Sequence, residues 1–184
     1  MRIIAGKARR LQLKTIPGLD TRPTTDRVKE TLFNMLNPYL AGCHFLDLFA
    51  GSGQIGLEAA SRGAEKVVFV ENSRNAAACI EENIRFTKLE DCCTLLVRDA
   101  ATAVQRMQGQ EVFDVVFMDP PYGKGQESDI LQALGASGII HEHTIVVVEC
   151  SLGMDLSYAT EFGFQITKEK TYKTNQHIFL RFTG

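Results

Sequence analysis

No apolar run in this sequence approaches the roughly 18 residues that a membrane-spanning helix needs. The longest, Val67–Val70 and Ile145–Val148, are strand-sized. The basic N-terminus lacks the apolar core of a secretory signal, so a cytoplasmic location is expected. Five cysteines (Cys43, Cys79, Cys92, Cys93 and Cys150) contain no C-x-x-C spacing. That excludes the usual zinc and disulfide frameworks and leaves reduced thiols, with the Cys92–Cys93 pair packing at a strand start. His141 and His143 flank Glu142 without a visible third ligand, so they read as a loop cluster and no metal is expected. Internal repeats, low-complexity stretches and flexible linkers are absent too. What is present is an ordinary globular composition, 45% hydrophobic and 23% charged, long enough for one substantial core.

The overall charge of −2 conceals an asymmetry. Residues 1–29 carry eight cations against two anions, a net +6, so the remainder carries −8. A basic arm on an acidic body suits an attachment to a polyanion. Arg2–Ala5 and Arg10–Lys14 read as two short strands around a turn containing Gly6, a basic hairpin over residues 1–24 that displays Lys7, Arg9 and Arg10. Arg22 and Arg27 follow as further candidates for substrate contact. Thr25 or Asp26 caps a helix with Val28, Leu32, Met35 and Leu36 on one face, ended by Asn37–Pro38.

From residue 25 to 184 the pattern is that of one α/β domain. Strands are expected at Phe45–Leu48, Lys66–Val70, Thr94–Val97, Phe113–Met118 and Thr144–Glu149. Helices are expected between them at Gln54–Ser61, Arg74–Phe86, Ala100–Met107 and Ser128–Ala136. This alternation implies a Rossmann-like, mainly parallel sheet covered on both faces. Two final strands, Phe164–Lys170 and His177–Phe182, lie too close in sequence for a crossover and must be antiparallel neighbours. Five parallel strands and an antiparallel pair make seven in all.

Gly51-x-Gly53-x-x-Gly56 follows the first core strand and opens the first core helix, where a ligand can approach backbone N–H groups. The spacing alone fits a dinucleotide fingerprint equally well, and Glu71, 20 positions past Gly51, suits ribose hydroxyls in either case. Asp47 argues for a cationic cofactor, since a carboxylate there attracts an ammonium group and repels a pyrophosphate. Asp99, after the third strand, is placed to accept adenine amino hydrogens, although it also reads as a helix cap. With Phe49, Ser52, Asn72 and Ala100 beside them, these residues form the candidate site for S-adenosylmethionine.

Asp119-Pro120-Pro121-Tyr122 closes the fourth strand, at the edge where open α/β sheets hold their ligands. An aromatic amine is a poor nucleophile because its lone pair is delocalised. Two acceptors around it, the Asp119 carboxylate and the Pro120 carbonyl, favour a pyramidal nitrogen. Pro121 stiffens the loop and Tyr122 can stack on an extruded base. Acceptance of hydrogen bonds suffices; no raised pKa is required of Asp119.

Several stretches together resemble the bacterial RsmD-like family, which methylates the N2 amine of a guanine in 16S ribosomal RNA. They are Arg2-Ile-Ile-Ala-Gly6, Thr21-Arg-Pro-Thr-Thr-Asp-Arg-Val-Lys-Glu-Thr-Leu-Phe-Asn34, Asp47–Gly56, Glu58-Ala-Ala-Ser-Arg-Gly-Ala64 and Asp119–Tyr122. The resemblance implies a class I S-adenosylmethionine-dependent methyltransferase fold. It also implies cofactor binding by Asp47, Gly51, Gly53, Glu71 and Asp99, a base-holding role for Asp119–Tyr122, and RNA contact by the hairpin. Arg98 and Asn72 depart from residues common in the family. A monomer acting on 16S ribosomal RNA or the small subunit is expected. Adenine-N6 methylation of DNA and a non-catalytic nucleotide- or RNA-binding module stay open as alternatives.

Overall fold

The central apolar runs become strands that helices bury on both faces, whereas the two outer strands are partly exposed. The computed structural model describes residues 1–18 and 24–184. In chain order the elements are α1 (Asp26–Leu40), β1 (His44–Leu48), α2 (Gln54–Ser61), β2 (Lys66–Glu71), α3 (Arg74–Thr87), β3 (Cys93–Val97) and α4 (Ala100–Met107). They continue with β4 (Phe113–Met118), α5 (Gln126–Gly135), β5 (Ile140–Ser151), β6 (Phe164–Thr171) and β7 (Asn175–Phe182). The sheet order is β3-β2-β1-β4-β5-β7-β6. Strands β1 to β5 are parallel, and β7 runs antiparallel between β5 and β6. This is the class I methyltransferase sheet.

Strand alternation sorts the side chains onto two faces. Phe45, Phe69, Phe117 and Val147 face α1, α2, α3 and the N-terminal segment. Leu46, Val70, Met118 and Val148 face α4 and α5. The acids Asp47, Glu71 and Glu149 lie two residues beyond Phe45, Phe69 and Val147, so they continue the first face to the carboxyl edge of the sheet.

Three local expectations need correction. Helix α1 runs through Pro38 to Leu40, with Thr25 Oγ1 accepting from Val28 N at 3.3 Å. Burial of Leu36 and Leu40 on one face outweighs the hydrogen bond that Pro38 cannot donate. His141 lies inside β5 rather than before it, because pairing resumes below an irregularity at Phe113/Val115 and reaches Ile140. Its Nε2 is 3.2 Å from Asp114 Oδ1, and no metal-holding cluster occurs among the described residues. The N-terminal hairpin is shorter than expected: its two segments pair only around the bridge Arg2↔Gln12, where Ile3 N, Arg10 N and Leu13 N donate to Leu11 O, Ile3 O and Met1 O at 3.0, 2.9 and 2.9 Å.

The pairing extends no further because the donors between these residues turn to α2. Ile4 N and Ala5 N donate to Glu58 Oε2 and Oε1 at 2.8 and 3.0 Å. Ala8 N donates to Ser61 Oγ at 2.9 Å, and Ser61 Oγ donates to Ala5 O. Glu58 is fully buried and also meets Arg62 Nε at 2.8 Å and the buried Lys29 ammonium at 3.7 Å. Lys29 in turn donates to Arg2 O. Burial pulls the Lys29 pKa down, and Glu58 resists that. Of the basic residues near the N-terminus, Lys29 is therefore structural, and Arg2 and Lys14 pair with Asp26 and Glu82. Lys7, Arg9, Arg10 and Arg27 remain exposed, whereas Arg22 lies outside the described residues.

Glu58→Ala strips two backbone donors and a buried ammonium of their partner. It should destabilise the protein by about 3–5 kcal/mol, the range for a broken buried pair. A urea midpoint equal to wild type would show that Glu58 does not anchor the segment.

Candidate active site

The turn from β1 into α2 needs backbone shapes that few side chains tolerate. Gly51 and Gly53 sit at φ +60 and +81, and Phe49 shares that left-handed region at φ +62, a strained conformation for an aromatic residue. Gly56 meets a different constraint: a Cβ there would overlap the ring of Phe69 on β2. The loop is tied down by carboxylates. Asp47 Oδ2 accepts from Gly56 N at 2.9 Å, and Glu71 accepts from Gly51 N and Ser73 N at 2.8 and 2.9 Å.

Five of the cofactor candidates, Phe49, Glu71, Asn72, Asp99 and Ala100, line one cleft, closed on its far side by Gln126 and Ile130 of α5. Arg98 also lines it. Asp99 caps α4, with Oδ1 accepting from Thr102 N at 2.9 Å, and that bond holds its pKa below the usual carboxylate range. The cap and a ligand contact are compatible, since the second oxygen is not used in the cap. Ala100 opens α4, so its N–H has no intrahelical acceptor. Asp47 does not reach the cleft wall; it is 1% exposed beneath the loop. Ser52 turns the other way, with its hydroxyl 3.5 Å from Met1 Sδ and its carbonyl accepting from Asn83 Nδ2 at 3.0 Å.

Asp119 follows β4 directly, with Pro120 buried and Pro121 and Tyr122 exposed. Neither the Asp119 carboxyl nor the Pro120 carbonyl accepts a hydrogen bond from a protein donor among the described residues. Burial pushes the Asp119 pKa well above the carboxylate range, and the neighbouring Glu149 and Asp47 add to it. Burial likewise pushes Asp47 up to about 7, against the Gly56 hydrogen bond and aided by Glu71, and it pushes Tyr122 up to about 12. No lysine or arginine pairs with Asp47, Glu71, Asp119 or Glu149 among the described residues. Four acids on adjacent strands thus share an edge without a fixed cation.

Glu149 and its neighbours escaped the sequence reading. Its Oε1 accepts from Asn175 Nδ2 at 2.8 Å and its Oε2 from His177 Nε2 at 3.0 Å. The available signal was an apolar run closed by an acid, the same pattern that marked Asp47, Glu71 and Asp119.

Comparison with known proteins settles the lineage. A family model described as conserved hypothetical protein 95, the RsmD family, matches residues 1–181. The chain belongs to that family. It is 36% identical over 172 residues to ribosomal RNA small subunit methyltransferase D of Haemophilus influenzae, covering 93% of this chain and 88% of that one. The Escherichia coli protein of the same name is 36% identical over 151 residues, 81% and 74% of the two chains. The solved structure of yhhF from Escherichia coli, described as a methyltransferase, superposes with a TM-score of 0.84 at 30% identity over 99% of this chain and 97% of that one. Family and fold together make this chain a methyltransferase.

The crowded acids carry a pH signature. Asp47 ionises near 7 when folded and near 3.8 as an ordinary side chain. A raised folded pKa contributes stability that is complete below the unfolded value and lost as pH rises through the folded one. The unliganded protein should therefore lose stability between pH 4 and 8. Asp47→Asn keeps an acceptor for Gly56 N and should recover a few kcal/mol (about 4 at most) at pH 8 and little at pH 4. Urea unfolding at both pH values tests this; an equal effect at the two would show that Asp47 ionises normally.

Proposed function

We propose that this protein transfers a methyl group from S-adenosylmethionine to the exocyclic N2 amine of a guanine in small-subunit (16S) ribosomal RNA. The observation that carries the reading is a pair of adjacent acceptors, the Asp119 carboxyl and the Pro120 carbonyl, with no protein donor among the described residues and with exposed Tyr122 beside them. Relatives named for small-subunit ribosomal RNA supply the substrate class. DNA adenine methylation has no comparable support, and a non-catalytic module leaves the unpartnered acceptors unexplained.

The cofactor supplies a methyl group on a cationic sulfur. The acid-lined edge suits such a cation: Asp47 and Asp119, both hard to ionise alone, become easier to ionise beside a positive charge. Glu71 retains acceptor capacity for ribose hydroxyls after taking two backbone donors, and Asp99 with the Ala100 N–H suits the adenine edge. On the substrate side, Asp119 and the Pro120 carbonyl accept the two amine hydrogens and direct the nitrogen lone pair at the methyl group. Tyr122 stacks on the base and holds its plane. Asp119, ionised beside the cationic cofactor, receives the proton that the methylated amine loses. Positioning and electrostatics provide most of the rate. Lys7, Arg9 and Arg10, exposed on the N-terminal segment, and Arg27 at the start of α1 face the RNA backbone; Arg22 is assigned with them on sequence grounds.

Asp119→Ala should abolish labelled-methyl transfer to undermethylated small-subunit RNA while calorimetric S-adenosylmethionine binding survives; retained turnover removes Asp119 from the reaction. Replacing Arg9 and Arg10 together by Ala should lower the slope of log affinity against log salt by roughly 1.5, as for two lost phosphate contacts. An unchanged slope would put both residues outside the RNA interface.

A further inference from the structure

An Asp-Pro-Pro-Tyr loop selects an aromatic amine but not the base that bears it. Guanine N2, adenine N6 and cytosine N4 differ in the ring nitrogen next door. Guanine N1 carries a hydrogen, whereas adenine N1 and cytosine N3 offer a lone pair. A further acceptor beside the amine-binding pair therefore attracts guanine and repels the other two.

Glu149 stands in that position. β4 and β5 stay in register to Met118 and Val148, so Asp119 and Glu149 follow one step later on strands about 4.8 Å apart. Glu149 acts electrostatically on both the Asp119 carboxyl and the Tyr122 hydroxyl. It is 7% exposed and gripped from one side by Asn175 and His177. His177 is fully buried, edge-on to Phe117, with Nδ1 3.1 Å from the Tyr172 hydroxyl. Register explains the grip, since β7 pairs Glu149 with His177 and Ser151 with Asn175. Each carboxylate oxygen has one protein donor, and about four acceptor sites exist in all, so capacity remains for a substrate N–H. A carboxylate held this way is an oriented acceptor rather than a mobile charge.

We propose that Glu149 reads the target as guanine, accepting its N1–H while Asp119 and the Pro120 carbonyl accept the N2 hydrogens. His177 and Asn175 act as positioning residues that aim it. The inference rests on the guanine-N2 reading above and adds the group that tells guanine from other amines.

Small-subunit RNA with 2-aminopurine at the mapped target nucleotide keeps the N2 amine but presents N1 as an acceptor. Comparing the guanine to 2-aminopurine ratio of kcat/KM between wild type and E149Q cancels the intrinsic reactivity of the two amines. E149Q, whose amide can turn either an oxygen or an NH2 towards N1, should lower the ratio about 10- to 100-fold, the range for one discriminating base contact. Most of the loss should fall on guanine, with S-adenosylmethionine affinity retained. N175A, which loosens the carboxylate without removing it, should narrow the ratio partway and decides the matter if E149Q does not fold. An unchanged ratio in folded E149Q, or in N175A where that variant must stand in, overturns the role of Glu149 and leaves guanine methylation intact. Methyl groups mapped to adenine or cytosine by wild type would instead bring down the guanine reading itself.

Discussion

Burial raises the proton affinity of Asp47 and Asp119, and neighbouring acids add to it; that constraint shapes the carboxyl edge of this sheet. Asp47, Glu71, Asp119 and Glu149 close four neighbouring strands. Backbone amides of the glycine turn answer Asp47 and Glu71, and His177 and Asn175 answer Glu149. Asp119 has no protein donor among the described residues. In the proposed reaction a cationic methyl donor and an aromatic amine supply what the edge lacks, one the positive charge and the other the N–H groups.

A second set of contacts ties the basic N-terminal segment to the same edge. Glu58 and Ser61 on α2 take its backbone donors, and the other end of α2 carries the glycine turn. Asn83 on α3, fully buried, accepts from Lys14 N at 2.8 Å and donates both to Lys14 O and to Ser52 O. The segment that presents Lys7, Arg9 and Arg10 therefore shares its supports with the loop proposed to hold the cofactor. Such shared anchoring would keep the proposed RNA-facing surface and the proposed cofactor loop in a constant relation.

Much of this was legible in residue order. The strands appear within a few residues of their expected limits because buried parallel strands leave long apolar runs, and the helix starts at Ser73 and Asp99 have side chains that cap. Asp47, Glu71 and the Asp-Pro-Pro-Tyr loop were visible for the same reason, since each interrupts an apolar run, whereas Glu149 was not singled out. Pro38 misled because its local effect is weaker than the burial of Leu40. The hairpin proved shorter than expected because alternation within residues 2–14 says nothing about Glu58, whose carboxylate lies 54 positions from Ile4 and takes its donor.

What residue order by itself determined is the inventory: a seven-stranded α/β domain, a glycine turn, and acids delivered to strand ends, all products of short-range periodicity and turn chemistry. Only the tertiary structure decided which acids meet and what holds them. Inserting β7 between β5 and β6 brings His177 to Glu149 across 28 positions, and the same order makes Glu149 the neighbour of Asp119. Partners so far apart in the chain are chosen by strand order and register, which depend on the packing of the whole sheet and leave no local trace.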